Sequence, residues 1–187
     1  MIGISLLPYL QKKRKDTGRT MVFAGRERHA SARYNNWGYP SRALRTKDFL
    51  YIRNFRPERW PAGDPCAIDK KGKLEAKHSA NYDIDQCPAW DSNRDDREIY
   101  PYFLKAAGKR PYEELYNVST DPGCLHNLVG NGKCTEKLNN LRKEMDKLLK
   151  KTKDTRYLDD PTQDDIWETY PRLSGAMRTF PAPLLTD

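Results

Sequence analysis

Four consecutive polar residues, Arg26-Glu27-Arg28-His29, are the part of this chain best suited to binding chemistry. They directly follow a short apolar run, residues 20–25, of the kind that forms a buried strand, so this strand would deliver them together to a sheet edge. A guanidinium group binds sulfate, phosphate or carboxylate through paired N–H groups. This strand-end cluster therefore predicts an anion site. A set of salt bridges that only closes the strand is the alternative.

Self-contained hydrolytic chemistry has little support elsewhere in the sequence. The three histidines, His29, His78 and His126, are far apart, and no H-E-x-x-H, G-x-S-x-G or glycine-rich nucleotide-binding pattern occurs. The pairs Asp95-Asp96 and Asp159-Asp160 could serve as ligands of a hard cation. Each pair lies in an irregular, proline-flanked stretch, which favours plain solvated carboxylates. The sequence thus predicts neither a histidine-based nor a metal-based catalytic centre.

The four cysteines predict no zinc or redox site. Cys66, Cys87, Cys124 and Cys134 are 21, 37 and 10 residues apart, so the chain has no C-x-x-C pair. In an exported protein they would permit two disulfides, and three connectivities are open, of which Cys66–Cys87 with Cys124–Cys134 is the local one. The sequence Asn117-Val118-Ser119 fits the glycosylation sequon, which alone is weak support for export.

The charge balance favours an anionic partner without choosing one. The chain has 187 residues, a formal net charge of +8 and a pI of about 9.3, which suits nucleic acid, an anionic membrane surface or a sulfated polysaccharide. Its basic residues are dispersed, and the two tight runs, at 12–15 and 150–153, are typical of a solvated surface. The apolar opening lacks a basic n-region and a cleavage site, and no stretch is long enough for a membrane span. We expect a soluble chain without a signal peptide.

Hydrophobic periodicity predicts a small α+β domain. Two β-prone runs, 41–46 and 49–54, are separated by Lys47-Asp48, which indicates an antiparallel hairpin, and a further strand is expected at 113–118. A helix is expected from about residue 135 to residue 152, because its apolar residues share one stripe that should pack on the sheet. The residues of this stripe are Leu138, Leu141, Met145, Leu148 and Leu149.

Two regions lack such regularity. Residues 56 to about 109 contain five prolines, several glycines and scattered charge, which predicts a long irregular excursion. A loop of that length inside a compact domain is usually functional, packed on a partner or disordered. From Asp154 onward the chain is rich in Asp and Pro with interspersed aromatic residues. We expect this tail to wrap over a larger body.

Several segments, taken in order, resemble the C-terminal part of the formylglycine-dependent sulfatases. Residues 3–10, Gly-Ile-Ser-Leu-Leu-Pro-Tyr-Leu, are similar to the G-x-S-L-L-P-x-L phrase at the end of the large N-terminal domain of these enzymes. Residues 22–29 and 39–52 resemble their R-x-x-R-T hairpin region, and residues 114–128 match their E-L-Y-D-L-x-x-D-P pattern. The similarity covers roughly residues 1–155 and is greatest to the heparan N-sulfatase-like group, which acts on glycosaminoglycans.

The resemblance implies an alkaline-phosphatase-like fold, of which this chain would supply a small antiparallel sheet with a packed C-terminal helix. Residues 1–30 would be the end of the N-terminal domain with its last strand. Residues 31–155 would form the C-terminal subdomain, with a long irregular insertion at 56–110, and residues 156–187 would form an extended tail. The implied function is hydrolysis of sulfuric esters on sulfated glycosaminoglycan-type sugars, in a periplasmic, secreted or lysosomal compartment. The implied partners are the missing N-terminal domain and a sulfated carbohydrate, with no membrane, and the dispersed charge argues against nucleic acid.

The resemblance also implies chemistry that this chain does not perform alone. The family uses a cysteine in the context C-x-P/S-x-R, oxidised to formylglycine, together with a calcium ion. None of the four cysteines has this context, so formylglycine, calcium, and the catalytic and metal-binding residues are expected in the missing N-terminal part. What carries over is substrate contact by the strand-end cluster near the mouth of the cleft, whereas Arg42 and Arg45 are expected to be structural. The alternative is a stand-alone basic module that binds nucleic acid or sulfated polysaccharide.

Overall fold

A computed structural model of the chain describes residues 5–16, 18–66, 69, 71, 73, 80–85, 87–96, 98 and 100–157. His78, the pair Asp159-Asp160 and most of the predicted tail lie outside these residues. The elements are α1 (Leu7–Leu10), β1 (Met21–Arg26), β2 (Ser41–Thr46), β3 (Phe49–Asn54), α2 (Pro88–Asp95), α3 (Tyr100–Ala107), β4 (Glu113–Asn117) and α4 (Thr135–Thr152). Short 3-10 turns lie at Tyr34–Asn36, Gly132–Cys134 and Thr155–Tyr157.

The four strands form one antiparallel sheet in the order β1-β2-β3-β4. The predicted hairpin of β2 and β3 is confirmed, and Thr46 Oγ1 closes its turn by accepting the N–H of Phe49 at 3.0 Å. Asp48 ties this turn to the chain after β4, because its carbonyl accepts the N–H of Val118 at 2.8 Å and its carboxylate accepts the hydroxyl of Ser119 at 2.9 Å. The structure thus confirms the α+β class, with a small antiparallel sheet and a packed C-terminal helix.

Strand β1 forms where it was predicted, but the prediction that it is buried was wrong. Val22 and Ala24 are exposed, and Met21 and Phe23 are only half-buried. The reason is its position, since β1 is the first strand in the sheet order and has a neighbour on one side only. Its apolar side chains are therefore not enclosed by the described part of the chain.

The chain divides into two compact units. The first contains Ala43–Ile52, the described residues up to Ala24 and those from Glu114 onward. Its core is formed by residues of the sheet and by the predicted stripe of α4, in which Leu148 alone is half-buried. The buried side chains are Leu44, Tyr51, Leu115, Leu138, Leu141, Met145 and Leu149. The helix ends at Lys153, whose left-handed conformation (φ 52°, ψ 44°) stops the α-helical turn.

The second unit contains Gly25–Arg42 and Arg53–Glu113. Part of it was predicted to be irregular, and the structure instead has two short helices there, α2 and α3. Trp90 of α2 and Phe103 of α3 pack with their rings 4.8 Å apart, and Ala62 and Ala107 complete this small core. No sustained helical period marks these helices in the sequence, because each is only eight residues long. The other described residues of the excursion are irregular, as expected.

Candidate anion-binding site

The structure places the strand-end cluster at the start of the second unit, where its members face different partners. Arg26 and His29 both reach the carboxylate of Asp83, which lies more than 50 residues later in the chain. Glu27 instead forms an ion pair with Arg42 of β2. Arg28 is half-buried. The cluster is therefore divided between the exposed side chains of Arg26 and His29 and the largely buried ion pair of Glu27 with Arg42.

Asp83 is the centre of a small network that we call the Asp83 network, made of Arg26, His29, Arg33 and Asp83. Its Oδ2 accepts from Arg26 Nη2 at 2.6 Å and from Arg33 Nη2 at 2.8 Å, and its Oδ1 lies 3.1 Å from His29 Nδ1. The side chain of Asp83 is 0% exposed, whereas those of Arg26 and His29 are 42% and 76% exposed. A buried carboxylate thus anchors two side chains that reach solvent.

Backbone hydrogen bonds bring Asp83 to this position by joining three segments of the second unit. The N–H of Asp64 donates to the carbonyl of Ala32 at 2.8 Å, and the N–H of Asn81 donates to the carbonyl of Asp64 at 3.0 Å. The N–H of Asp83 donates to the carbonyl of Ala62 at 3.1 Å. Since backbone bonds fix these segments, the position of Asp83 does not depend on its side-chain contacts alone.

Gly63 allows this close approach. It has a φ of +91°, a conformation that strongly favours glycine. A Cβ atom at this position would lie 2.9 Å from the carbonyl oxygen of Ala32 and 3.1 Å from the backbone nitrogen of Tyr82. Any larger residue would therefore push apart the segments that place Asp83 beside Arg33.

Arg33 is the buried cation of the network, with a side chain that is 1% exposed. Its Nε donates to the carbonyl of Trp60 at 2.7 Å, and its Nη2 donates to the carbonyl of Pro61 at 2.8 Å as well as to Asp83. Burial lowers the pKa of Arg33, and the adjacent Asp83 carboxylate opposes that effect. Its Nη1 has no hydrogen-bond acceptor among the residues that the structure describes. The guanidinium of Arg33 is thus fixed by three hydrogen bonds, while Nη1 makes none within the described residues.

A second buried carboxylate lies close by at Asp64. Its Oδ2 accepts the N–H of Tyr34 at 2.7 Å. Burial raises the pKa of Asp64, while the hydrogen bond from Tyr34 and the charges of Arg33 and Arg59 act in the opposite direction. Asp64 therefore supports the turn that follows Arg33 and adds negative charge near the buried guanidinium groups.

The pair of Glu27 and Arg42 closes the end of β1 on β2. Arg42 Nη2 donates to Glu27 Oε1 at 2.6 Å, and Arg42 Nη1 donates to the carbonyls of Arg26 at 3.1 Å and Ser41 at 2.9 Å. Gly25 leaves room for this side chain, since a Cβ there would lie 3.0 Å from Arg42 Cδ. Glu27 and Arg42 therefore have a structural arrangement, as the sequence predicted for Arg42, and the salt-bridge alternative describes this half of the cluster.

The exposed half of the cluster has unused donor capacity. Nε and Nη1 of Arg26 have no partner in the described ranges, and two guanidinium groups face the single carboxylate of Asp83. With Nδ1 of His29 donating to Asp83, Nε2 donates to a ligand when the ring is an imidazolium. The four residues of the network therefore carry one positive charge before any protonation of His29, and the side chain of Asp64 lies near its buried guanidinium. A guanidinium and an imidazole oriented by a buried carboxylate are suited to binding an oxyanion.

Other candidate sites gain little from the structure. Within the described part of the chain, no group of three or more His, Cys, Asp or Glu residues could hold a metal ion, so the residues present do not fit a calcium site. Asp95 pairs with its neighbour Arg94, and the carboxylate of Asp96 accepts the N–H of Glu98. His126 is mostly exposed beside Asp121 in the first unit.

The four cysteines are thiols in this structure, so none of the open disulfide connectivities is formed. Cys66 is buried, Cys87 is exposed, and Cys124 and Cys134 are half-buried. No helix in the described ranges has the length and apolar character needed to cross a membrane.

Sequence reasoning missed Asp83 and Arg33, the two buried members of the network. Asp83 lies in the run Asn81-Tyr82-Asp83-Ile84-Asp85, where nothing distinguishes it from the exposed Asp85. Arg33 has a weak signal, since it follows His29 by four residues in a stretch otherwise made of small residues. The pairing of these residues is visible only when the chain is folded.

The sequence of this chain matches no family model. It is similar to the sequence of a known protein. It is 31% identical, over 153 residues, to the "Ulvan-active sulfatase" of Formosa agariphila, and the match covers 78% of this chain and 24% of that protein. A solved structure from Bacteroides thetaiotaomicron VPI-5482, described as that of a sulfatase, aligns with 86% of this chain and 23% of its own chain. Its TM-score is 0.44 at 18% sequence identity. This chain spans about a quarter of the length of the curated relative that it matches.

Proposed function

We propose that this chain is the C-terminal region of a sulfatase that hydrolyses sulfuric esters on sulfated, glycosaminoglycan-type sugars, and that its Asp83 network borders the substrate cleft. The observation that carries this proposal is the exposed pair of Arg26 and His29, oriented by a carboxylate that is itself fully buried. The match to a sulfatase over most of the chain supports the class of enzyme.

The geometry suits a sulfate or a sugar carboxylate. Arg26 is anchored through Nη2, which leaves its other N–H groups for a ligand, and His29 is anchored through Nδ1, which leaves Nε2. Side chains that are already oriented lose little conformational entropy when an anion binds. Charge-assisted hydrogen bonds from a guanidinium are stronger than neutral ones. The excess positive charge of the network favours an anion over a neutral group at the same position.

The catalytic nucleophile and the calcium site belong, in this proposal, to the N-terminal sulfatase domain as a separate partner segment. None of the four cysteines lies in C-x-P/S-x-R, and the described residues do not fit a metal site. This chain would therefore complete the fold and hold the substrate, without forming or breaking the sulfuric ester bond itself. Formylglycine would supply the nucleophile and calcium would hold the sulfate charge in that domain.

The class of substrate follows from two considerations. The name of the matched relative describes it as a sulfatase that is active on ulvan. The chain itself carries a net charge of +8, which favours association with a polymer that bears repeated negative charges. A sulfated polysaccharide meets both conditions, and dispersed lysines rather than a continuous basic stripe argue against nucleic acid.

The test measures binding and turnover with the full 187-residue chain. Inorganic sulfate and a sulfated glycosaminoglycan tetrasaccharide are titrated by NMR at fixed ionic strength, with wild type, Arg26→Ala and His29→Ala. We expect each substitution to weaken both ligands by about tenfold to a hundredfold, because each removes a charge-assisted hydrogen bond. Lys143→Ala on α4 removes the same charge at an exposed position in the other unit and should leave both affinities unchanged.

Two results would overturn the proposal. The first is turnover of a chromogenic aryl sulfate by the purified chain, because the nucleophile would then lie within these 187 residues. The second is steeply salt-dependent binding to single-stranded nucleic acid with no binding to the sulfated tetrasaccharide, which would favour a stand-alone basic module.

A further inference from the structure

Two half-buried aromatic residues, Tyr34 and Trp37, lie in the turn that follows Arg33 and have no role in the Asp83 network. Their rings meet edge to face, with centroids 5.4 Å apart and planes at 81°. The guanidinium of Arg59 lies 4.5 Å from the centroid of the Trp37 ring and donates to the carbonyl of Gly38 at 3.1 Å. Trp37 is thus fixed on one side by a buried cation while its side chain still reaches the surface. We call this pair the aromatic turn.

The backbone of the aromatic turn is left-handed at its centre. Asn35 and Asn36 are consecutive residues with positive φ, 47° and 60°, a conformation that asparagine adopts more readily than other residues with a side chain. The turn is held by hydrogen bonds from the N–H of Asn36 to the carbonyl of Arg33 at 3.1 Å and from the N–H of Trp37 to the carbonyl of Tyr34 at 3.0 Å. These bonds fix the backbone on both sides of the two rings.

The aromatic turn lies directly beside the strand-end cluster. The N–H of Tyr39 donates to the carbonyl of Glu27 at 2.8 Å. Gly38 packs so closely that a Cβ there would lie 3.0 Å from the carbonyl oxygen of Glu27 and 3.5 Å from Cβ of Arg28. On its other side the turn continues from Arg33, which binds Asp83. The rings are therefore tied through the backbone to the segment that carries Arg26 and His29.

We infer that the aromatic turn is a sugar-binding platform, on which the saccharide whose anionic group contacts Arg26 and His29 stacks on one of the two perpendicular rings and meets the other at its edge. This inference rests on the proposed function, because it concerns the same cleft. The apolar C–H face of a pyranose stacks on an electron-rich aromatic ring, and an indole has the most extended face among protein side chains. The cation on the far side of Trp37 holds the ring in place and reduces the entropy lost on stacking.

The platform would give the site a preference for carbohydrate over a bare oxyanion. Inorganic sulfate can bind to the Asp83 network but is too small to contact the aromatic turn as well. A sulfated oligosaccharide engages both, so the two contributions can be measured separately. Removal of an aromatic contact should therefore weaken the oligosaccharide and leave inorganic sulfate unaffected.

The experiment compares three ligands on the full chain: inorganic sulfate, a sulfated glycosaminoglycan tetrasaccharide and its desulfated counterpart. Tyr34→Ala and Trp37→Ala should each weaken the sulfated tetrasaccharide by about threefold to tenfold and leave the affinity for inorganic sulfate unchanged. Tyr102→Ala removes an exposed aromatic residue from α3 in the same unit and should have no effect. The desulfated tetrasaccharide should still shift the indole N–H resonance of Trp37 in wild type.

Thermal melting identifies a variant that fails to fold. Trp37→Ala is more destabilising to the fold than Tyr34→Ala, because Arg59 stacks on the Trp37 ring. In that case Tyr34→Ala and the indole shift in wild type decide the question. The inference is overturned if the aromatic variants bind the tetrasaccharide as wild type does, if they lose inorganic sulfate to the same extent, or if neither tetrasaccharide shifts the indole resonance. A shift by the desulfated sugar without any sulfate binding would refute the anion site and retain the platform.

Discussion

Replacing Asp83 with Asn tests the electrostatics of the candidate site directly. The substitution keeps the shape and one acceptor oxygen but removes the charge that both guanidinium groups share. Arg33, whose side chain is 1% exposed, would then be a buried cation without its ion-pair partner. Breaking a buried pair in this way costs about 3–5 kcal/mol, whereas the half-exposed pair with Arg26 contributes no more than about 1 kcal/mol. We expect the free energy of unfolding to fall by about 3–5 kcal/mol.

The assay is urea unfolding of the full chain, followed by far-UV circular dichroism. With a typical dependence of stability on denaturant, the midpoint should fall by at least about 1 M. Asp85→Asn is the matched control, because Asp85 is exposed two residues away, and its effect should lie within about 0.5 kcal/mol. Removing the orphaned charge as well, in Arg33→Met combined with Asp83→Asn, should cost about 1–3 kcal/mol less than the sum of the single substitutions.

Either of two outcomes would show that the buried guanidinium of Arg33 is not stabilised by Asp83. In the first, Asp83→Asn is no more destabilising than Asp85→Asn, so that Arg33 does not depend on this carboxylate. In the second, the double substitution equals the sum of the two single ones, so that Arg33 and Asp83 are not coupled.

The remaining predictions concern acid stability and the end of α4. Burial raises the pKa of Asp64, so in the folded protein this carboxyl stays protonated at a higher pH than in the unfolded chain. The free energy of unfolding should therefore fall as pH rises from about 4, and Asp64→Asn should abolish that fall. The N–H groups of His126 and Leu125 lower the pKa of Asp121, so stability is lost as pH falls below about 4, and Asp121→Asn should flatten that loss. Melting temperatures between about pH 3 and about pH 6 check both slopes, and shifts of the same sign would contradict the pair. Lys153→Gly should raise the free energy of unfolding by about 1 kcal/mol, because Lys153 is left-handed at the C-cap, and chemical denaturation showing a decrease would count against this.

The elements that the sequence predicted well are those specified by neighbouring residues. The hairpin follows from two β-prone runs and the two-residue connection Lys47-Asp48, and α4 follows from apolar residues at helical spacing over 18 residues. In both cases the signal lies within the element itself. Helices α2 and α3 carry no comparable signal, because they are stabilised by the contact of Trp90 with Phe103 across the connection between them.

The candidate site was predictable only in part. Arg26 and His29 could be selected because a strand followed by charged residues brings them to one sheet edge. Their partner could not, because Asp83 lies more than 50 residues later in the chain and its position depends on Gly63 and on backbone hydrogen bonds. The separation of Glu27 from the anion site has the same origin, since its partner Arg42 lies on another strand. Charge type is visible in a sequence, whereas the pairing of charges depends on tertiary structure.

The long separation between Asp83 and its partners also has a consequence for the order of folding. Asp83 contacts Arg26, His29 and Arg33 across 57, 54 and 50 residues, whereas the turn of the β2–β3 hairpin closes across three. The entropy cost of closing a loop grows with its length, so the hairpin can form early and the network only after the intervening stretch has folded. Until then, Arg26 and Arg33 lack their shared counter-ion. We therefore expect the proposed anion site to be completed later in folding than the hairpin.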